Sequence, residues 1–579
     1  MSLDETNILG QNLGTDEFPV AWNEGEKELF WILDDLHCPN PLSPMFFDIG
    51  GWWLTCDHMF RRFGTPFASD WVAKNVNGYL YTAALPATPG IHVEAMEYQN
   101  RYVPRVPQDS EYAGKIGAYL GNVLPHYAEN FLDWWNDRIL PEMKTNFAYI
   151  DGFDKEGASL TALAILLEDM IDIHDRHWKI HWMLNFSQFS STTALNAAID
   201  EFKPNAKPDL KGRLQSSVVD RNWDSVEALW KMKETVKGNA TLEEAFKAPT
   251  AAEVMTALEG SADGKALIKD QLEPYLEEFG HKALWSHEVV FPLWRENPGP
   301  AIEAVRGYVV SDYDYPATIK GVEDDLNAAI AECMDGVEGE AREKLQAALD
   351  ASLKMNPLTP DHHFYIDQGT NARLRTVLLA VGAKMVEHDI LDEANDVMFL
   401  HYNELRALVG DKDAYDAREI VSDRRDEYEE ATEKRPPDWI GTATEEALAF
   451  PYAGLWGFPE RFYREPPTKA GEITGLAASP GVIEAKARVI TTEDQFHTVQ
   501  EGEILVCRMT NPAWVVLFTQ ISGLVTDAGG TTSHSAVVSR EFGLPAVVGT
   551  SVATKDVKTG DTLRVNGTTG DLACLGGRL

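Results

Sequence analysis

The chain has 579 residues and a formal charge of −40, from 91 acidic and 51 basic side chains. Its length predicts two to four domains, and a hydrophobic content of 44% predicts large buried cores. The acidic balance excludes a general affinity for nucleic acid or anionic membrane surfaces, and the sequence has no apolar run of about 18 residues or more that could span a membrane.

The cysteines and the N-terminal residues favour a reducing compartment. Five cysteines are scattered without pairing or Cys-x-x-Cys spacing, which predicts reduced thiols and argues against a zinc site held by cysteines. Residues 1–7 are acidic and lack the basic-then-apolar order of a secretion signal. We therefore expect a cytoplasmic protein.

Residues 1–460 predict one large, mainly α-helical substrate-binding domain. Apolar residues recur there at the helical spacing of three and four, and Pro-Gly punctuation falls mainly between these runs. The clearest predicted helical runs are residues 160–183, 241–258, 318–355 and 372–385.

The run over residues 160–183 changes character along one face. Leucine and methionine occupy its first half, and the same stripe continues as His174, His177 and His181. A core that gives way to histidines predicts a substrate pocket in which an imidazole acts as a general base or orients a hydroxyl. Buried histidines in an ordinary core, or a metal site made of two imidazoles, are the alternatives that the sequence leaves open.

A second polar cluster follows at residues 361–368, Asp-His-His-Phe-Tyr-Ile-Asp-Gln. It includes His363 and leads to Arg373 and Arg375, whose guanidinium groups are suited to an anionic group in transfer. A surface arginine pair is the alternative. Trp52 belongs to a dense aromatic segment that predicts either a pocket wall or plain core.

The helical pattern stops at residues 461–473, which contain two prolines and a glycine and predict a linker or hinge. Beyond it, short runs rich in Val, Ile and Thr alternate with turns. Residues 474–579 therefore predict a small α/β domain, and the fold class is multidomain: a large helical domain followed by this smaller one.

The most informative motif of the small domain is Asp527-Ala-Gly-Gly-Thr-Thr-Ser-His534. A strand is predicted before it, a short helix from His534 to about Gly543, and a strand after that. A helix N-terminus collects unpaired N–H groups and positive dipole, which favours an anion. The alternative is an ordinary loop with a surface histidine. We expect His534 to carry a phosphoryl group, with the loop residues Gly530, Thr532 and Ser533 around it.

Residues 472–579 resemble the swivelling phosphohistidine domain of the PEP-utilising enzyme superfamily. The resemblance rests on the motif ending at His534, on its exit Gly543-Leu-Pro-Ala-Val-Val-Gly549, and on Gly475-Leu-Ala-Ala-Ser-Pro-Gly-Val482. Ala485 stands where many members have glycine. The resemblance implies a β/β/α domain in which His534 is the phosphohistidine.

The region before the linker is similar to the substrate domains of rifampicin phosphotransferase and of the large subunit of phenylphosphate synthase. The matching pieces include Asn40-Pro-Leu-Ser-Pro44 and Phe291-Pro-Leu-Trp-Arg-Glu-Asn-Pro298, and Arg375 resembles an arginine of those domains in placement. The resemblance implies an ATP-dependent phosphotransferase of two components. It would use Mg²⁺ or Mn²⁺, convert ATP to AMP and phosphate, and phosphorylate a phenol or alkylphenol.

No Gly-x-x-x-x-Gly-Lys-Ser/Thr loop occurs in these 579 residues, and nothing before residue 470 resembles an ATP-grasp domain. We therefore expect a separate ATP-grasp-like, nucleotide-binding partner subunit to load His534, with no nucleic acid or membrane partner. Two other functions remain open: a component that inactivates a rifampicin-type antibiotic, and a non-catalytic phosphocarrier or regulatory subunit.

Overall fold

A computed structural model describes residues 9–56, 58, 62–63, 68–86, 110–207, 209–434, 436–448, 472–510, 514–530 and 533–575. Most of the predicted linker, residues 461–471, lies outside the described residues, as does Thr532. The predicted fold class is confirmed: a large, mainly helical region precedes a small α/β domain. None of the helices in the described part of the chain is both long enough and apolar enough to cross a membrane.

A sheet near the N-terminus is the main element that the sequence pattern does not predict. Its described strands run antiparallel in the order β1-β5-β2-β4-β3. The turn Asn77-Gly78 joins β3 to β4 with positive φ at both residues, which is the conformation that favours Asn-Gly in a tight hairpin. The strands are β1 (Gly10–Asn12), β2 (Phe30–Leu33), β3 (Ala68–Val76), β4 (Tyr79–Pro86) and β5 (Trp439–Ala443).

Helices make up most of the region between β4 and β5. The helices of the helical region are α1 (Pro44–Ile49), α2 (Ser110–Trp134), α3 (Leu140–Gly152), α4 (Leu160–Phe202), α5 (Leu210–Arg213), α6 (Arg221–Lys237), α7 (Ala240–Ala245), α8 (Ala251–Glu259), α9 (Ala262–Leu267), α10 (Glu273–Phe279), α11 (Gly299–Ser311), α12 (Tyr315–Met334), α13 (Gly339–Met355), α14 (Leu358–His362), α15 (Asn371–Glu387), α16 (Tyr402–Gly410), α17 (Ala417–Glu433) and α18 (Glu445–Leu448). Short π-helical segments are Trp135–Ile139, Ile268–Leu272 and His363–Thr370, and 3-10 segments are Glu26–Glu28, Trp52–Thr55, Ala394–Phe399 and Glu493–Thr498.

Helix α4 is the central element of the helical region. The Ser159 side chain accepts a hydrogen bond from the Ala162 N–H and caps the first turn, which satisfies one of the donors that a helix start leaves unpaired. The helix then runs for 43 residues, about 65 Å at 1.5 Å per residue. It therefore extends well beyond residue 183, where the apolar stripe suggested its end.

Two of the other predicted helical runs are each divided in the structure. The run over 241–258 is α7 and α8, and the run over 318–355 is α12 and α13. Gly336 in the second break and Gly339 at the first residue of α13 both have positive φ, a backbone conformation that interrupts a helix and that glycine adopts without strain.

The C-terminal domain is built on an eight-stranded sheet in its described part. The strands follow the order β6-β13-β12-β8-β9-β10-β11-β7, and β8 to β11 run parallel. They are β6 (Glu472–Thr474), β7 (Leu476–Ser479), β8 (Val482–Ile490), β9 (Ile504–Cys507), β10 (Gly523–Thr526), β11 (Ala546–Val548), β12 (Thr562–Asn566) and β13 (Asp571–Cys574). The helices α19 (Val515–Phe518), α20 (His534–Glu541) and α21 (Ala553–Asp556) connect strands.

One hydrophobic core joins the C-terminal domain to the helical region. Trp223 of α6 stacks on Phe542 with ring centroids 5.3 Å apart, and Trp285 packs against Trp514 at 6.1 Å. All four rings belong to one buried or partly buried cluster. The structure therefore shows the C-terminal domain docked against the helical region, with α20 at the boundary.

Candidate active site

His534 is the first residue of helix α20, as the motif predicts. The loop before it turns at Gly529, whose φ is 111°, and a Cβ at that position would lie 2.8 Å from Ser533 Oγ. Ser533 has extended backbone, and both its N–H and its hydroxyl donate to the carbonyl of Gly530. Gly530 and Ser533 therefore shape the turn that presents the histidine.

The His534 ring is oriented by a threonine that the motif does not contain. Its Nδ1 lies 3.1 Å from the Thr510 hydroxyl, which in turn lies 2.8 Å from the Ser535 hydroxyl. If Nδ1–H donates to Thr510 and Thr510 donates to Ser535, the Nε2 atom keeps its lone pair. Nε2 is buried and has no hydrogen-bond partner among the described residues. It is therefore the atom of this ring available to a reagent.

The protonation state of His534 suits a nucleophile. Burial lowers the pKa of the imidazole to about 3, and nearby His363 and Lys282 act in the same direction. Lys282 is itself buried, donates to the Ser225 hydroxyl over 2.6 Å, and has a pKa lowered to about 7 by burial. The docked His534 is thus neutral at physiological pH, which leaves its nitrogen lone pair free to attack.

His534 lines a cavity of about 330 Å³ between the C-terminal domain and the helical region. Helix α4 provides one wall, with side chains that recur on one face from His181 to Thr192. Four aromatic side chains give the cavity its apolar surface: Trp182, Phe186, Phe189 and Trp285. The volume is that of a site for a small organic molecule.

Histidines on the helical side of the cavity surround one buried carboxylate, Asp367. His363 Nδ1 is hydrogen-bonded to Asp367 Oδ2, and the His363 side chain retains 31% of its exposure. Both residues belong to the π-helical segment His363–Thr370 that follows α14, a geometry often found at functional sites. This pair has the arrangement of a base oriented by a carboxylate.

Three further imidazoles of the cluster, those of His181, His287 and His362, line the cavity. Burial lowers the pKa of His362 to about 3 and that of His287 to about 4, and it lowers the pKa of His181 as well. All three rings are therefore neutral near pH 7.

The predicted histidine stripe on α4 is buried along its whole length, but only His181 reaches the cavity. His174 Nε2 accepts from Trp178 Nε1 over 2.8 Å. His177 Nδ1 lies 2.9 Å from the Thr370 hydroxyl. These two histidines hydrogen-bond inside the helical core.

The two predicted arginines and Trp52 lie away from the cavity lining. Arg375 is buried and ion-paired with Glu296 at 2.7 Å. Arg373 is paired with Asp151 at 2.6 Å, with its guanidinium over the ring of Phe147. Trp52 packs edge-on against other tryptophans of the core. In this docked arrangement both guanidinium groups are committed to carboxylates and not to the cavity.

Five residues of the site are not among those predicted from the sequence. His362 and Asp367 lie in the polar segment 361–368, so the signal was present but no spacing rule singles them out. Thr510, His287 and Lys282 carry no local motif. The tertiary fold brings Thr510 and His287 to the cavity and brings Lys282 close to His534.

Two family models match parts of the chain. Residues 499–570 match the mobile domain of PEP-utilising enzymes, and residues 184–357 match the fourth domain of rifampicin phosphotransferase. The first contains His534 and Thr510. The second contains His287 and the cavity-lining residues of α4 from Asn185 to Thr192, whereas His181 lies just before the matched range.

Curated relatives agree with these matches. An uncharacterized phosphotransferase, YvkC, of Bacillus subtilis is 24% identical over 91% of this chain and 62% of its own length. A rifampicin phosphotransferase of Bacillus cereus is 30% identical over 54% of the chain and 35% of its own length. A probable phosphoenolpyruvate synthase of Pyrococcus horikoshii is 50% identical over 17% of the chain and 12% of its own length.

The chain therefore spans less than two thirds of the length of each of these relatives. The matched mobile domain contains His534 at the start of α20, and the similarity extends into the helical region. The chain is therefore similar to PEP-utilising enzymes in the mobile domain over residues 499–570 and to rifampicin phosphotransferase over residues 184–357.

Proposed function

We propose that this protein is a phosphotransferase that carries a phosphoryl group on His534 Nε2 and transfers it to a hydroxyl group of a small aromatic acceptor, a phenol or alkylphenol. One observation carries the proposal: His534 lines the same cavity as His363, whose ring is hydrogen-bonded to Asp367. A phosphoryl carrier and a candidate base thus meet at one site with room for an acceptor.

The proposed reaction moves the phosphoryl group from His534 to the acceptor hydroxyl in one step. The acceptor oxygen attacks phosphorus, the P–N bond to His534 breaks, and its electron pair returns to Nε2. The hydroxyl proton passes to His363 Nε2, because Nδ1–H of the same ring donates to Asp367. In-line transfer depends mainly on positioning, which the docked C-terminal domain would provide.

The cavity supports an aromatic acceptor. Its aromatic lining suits a phenyl ring, and its volume of about 330 Å³ is at the small end for organic ligands. A phenol has a pKa of about 10, like tyrosine, and so needs only a modest base. The relatives named rifampicin phosphotransferase favour a second candidate, a larger aromatic hydroxyl of that antibiotic type.

The proposed phosphoryl source is ATP with Mg²⁺ or Mn²⁺, bound by a separate ATP-grasp-like subunit. Residues 1–579 contain no Gly-x-x-x-x-Gly-Lys-Ser/Thr loop, and the relatives are longer than the matched chain. In this proposal the C-terminal domain moves about the linker 461–473 between the loading subunit and the cavity.

The transfer step is tested by loading the protein with phosphoramidate, a small phosphoryl donor to imidazoles, and then adding phenol, p-cresol or rifampicin. ³¹P NMR should show loss of phosphohistidine and gain of an aryl phosphate. His363→Gln should load normally but transfer about 100-fold more slowly or worse, because the proton acceptor is gone.

His401→Gln is the matched control, since His401 is also paired with a carboxylate, Asp48, but lies outside the cavity. It should transfer at the wild-type rate. Unchanged transfer by His363→Gln would exclude His363 as the base. A loaded wild-type protein that yields no phosphorylated acceptor with any of the three compounds would contradict the proposed acceptor class.

Thr510→Val tests the orientation of the His534 ring. The change keeps the side-chain shape but removes the hydroxyl that fixes Nδ1. A hydrogen bond of this kind contributes about 0.5–1.5 kcal/mol, so loading should slow roughly 3- to 10-fold. Loading kinetics followed by ³¹P NMR measure this. Thr519→Val, whose hydroxyl bonds only a carbonyl in the same domain, is the control; equal rates for both variants would show that Thr510 does not orient the ring.

A further inference from the structure

The carboxylate at the centre of the histidine cluster has one oxygen without a partner. Asp367 is 1% exposed, and its Oδ1 makes no hydrogen bond with any described residue. The neighbouring Nε2 of His287 is likewise buried and unpaired within the described part of the chain. Buried polar atoms are rarely left unsatisfied, so a missing group is indicated between them.

The surrounding donor atoms have the spacing of a metal site. His181, His362 and Asp367 each offer one ligand atom, and these atoms lie within 4.8 Å of one another. His181 Nε2 is 3.7 Å from Asp367 Oδ1, and His287 Nε2 is 4.0 Å from the same oxygen. Ligands about 2.0–2.2 Å from one ion lie at slightly shorter mutual distances, which small side-chain rotations would give.

The outer hydrogen bonds also fit metal ligation. His362 Nδ1 is 2.9 Å from the Leu358 carbonyl, so its Nε2 lone pair is free for an ion. His363 holds the other oxygen of Asp367. His181 Nδ1 lies 3.2 Å from the Asn185 amide, which in its flipped orientation accepts a hydrogen bond from Nδ1–H through its oxygen. Ligating imidazoles are typically fixed by such second contacts.

We propose that His181, His362 and Asp367 bind a divalent transition-metal ion, best matched by Zn²⁺, with His287 as a fourth ligand. Imidazole nitrogens with one carboxylate suit Zn²⁺ and its neighbours in the first transition row, whereas Mg²⁺ prefers an all-oxygen octahedral shell. A +2 ion also compensates the negative charge of the buried carboxylate, whose Oδ1 has no hydrogen bond within the described residues.

The place of the proposed ion at the cavity suggests its role in phosphoryl transfer, and this role rests on the proposed function. Three of the four ligands line the cavity that His534 shares. An acceptor hydroxyl that displaces one ligand or enlarges the coordination shell would lose its proton more readily, with the proton passing to His363. The ion would then hold the acceptor oxygen ready to attack phosphorus.

Metal binding is tested on the whole chain without any phosphoryl transfer. The protein is stripped with EDTA, dialysed, and titrated with Co²⁺, whose visible d–d bands report the number and symmetry of its ligands. We expect about one ion per chain with the intense bands of a four-coordinate site, displaced by one equivalent of Zn²⁺. Metal content after equilibration with Zn²⁺ is measured independently by mass spectrometry.

Asp367→Asn and His362→Gln should weaken Co²⁺ binding by about 100-fold or more, because each removes a ligand. The control is His174→Gln, because His174 is buried on α4 like His181 but lies outside the cluster. This variant should bind Co²⁺ as the wild type does. Circular dichroism identifies any variant that does not fold. If neither variant folds, the Co²⁺ titration of the wild-type protein alone decides whether the metal site exists. A wild-type protein without a stoichiometric Co²⁺ site, or undiminished binding by folded Asp367→Asn, would overturn the proposal. Metal binding without phosphoryl transfer would instead overturn the proposed function and leave the site intact.

Discussion

Replacement of His534 by alanine is expected to remove all transferable phosphoryl groups from the protein. Wild-type protein loaded with phosphoramidate should deliver about one phosphoryl group per chain to an acceptor, because one nucleophile carries it. The alanine variant should deliver none. The other described histidine of the C-terminal domain, His497, does not line the cavity, so it does not replace His534 in this role.

The measurement counts only phosphate that reaches the acceptor, because a chemical donor also labels exposed imidazoles. His497→Ala is the matched control: His497 is an exposed histidine of the same domain, away from the cavity. It should lower the total label without changing the transferable fraction. Transfer that persists in His534→Ala would show that the relay does not pass through this residue.

A structural explanation of such a loss can be excluded in the same experiment. Nε2 of His534 is buried without a hydrogen bond among the described residues, and an unsatisfied buried group costs about 1–3 kcal/mol. Removing the ring should therefore leave the thermal midpoint nearly unchanged or slightly raise it. Loss of transfer with retained stability assigns the effect to chemistry.

The C-terminal domain was largely predictable because its signals are local. The strand, glycine loop and helix around His534 follow one another within about 30 residues, and the structure places β10, α20 and β11 there. Thr510 was not predictable in this way. It reaches His534 because β9 and β10 are parallel neighbours, which brings the ends of both strands to the same edge of the sheet.

The cavity was not predictable from any one segment. The histidine stripe correctly placed His174, His177 and His181 on one buried face, but the cavity lies along the next turns of α4, from His181 to Thr192. The leucine pattern ends before those turns, so the predicted helix stopped too early. The N-terminal sheet was missed because its strands are short and β5 comes from residues 439–443, far along the chain.

Acid should destabilise the protein through the two core histidines of α4. Burial lowers the pKa of His174 to about 4 and that of His177 to about 3, against about 6.5 in an unfolded chain. Above pH 6.5 both states are neutral and the full stability is present. Below it the unfolded chain gains protons that the folded protein does not, so each histidine costs about 1.4 kcal/mol per pH unit until its folded pKa is reached.

Between pH 7 and pH 5 the two histidines together should cost about 4 kcal/mol, a large part of a typical free energy of unfolding. The buried carboxyls of Asp220 and Glu288, whose pKa values burial raises to about 7, act with the opposite sign over this range. The pH dependence of the free energy of unfolding therefore contains both the histidine and the carboxyl contributions. A comparison between wild type and His174→Gln/His177→Gln isolates the histidines.

Urea unfolding at pH 7.5, 6.5, 5.5 and 5.0, in EDTA so that metal binding does not contribute, gives the free energies. At pH 7.5 the double variant has a lower free energy of unfolding, because glutamine does not reproduce every contact. Between pH 7.5 and pH 5, however, its free energy of unfolding should fall by about 4 kcal/mol less than that of the wild type. His401→Gln, at a partly exposed position, should keep the wild-type slope. Parallel curves for wild type and double variant would mean that these imidazoles take up protons in the folded core, and that the face of α4 leading to the cavity is open to water.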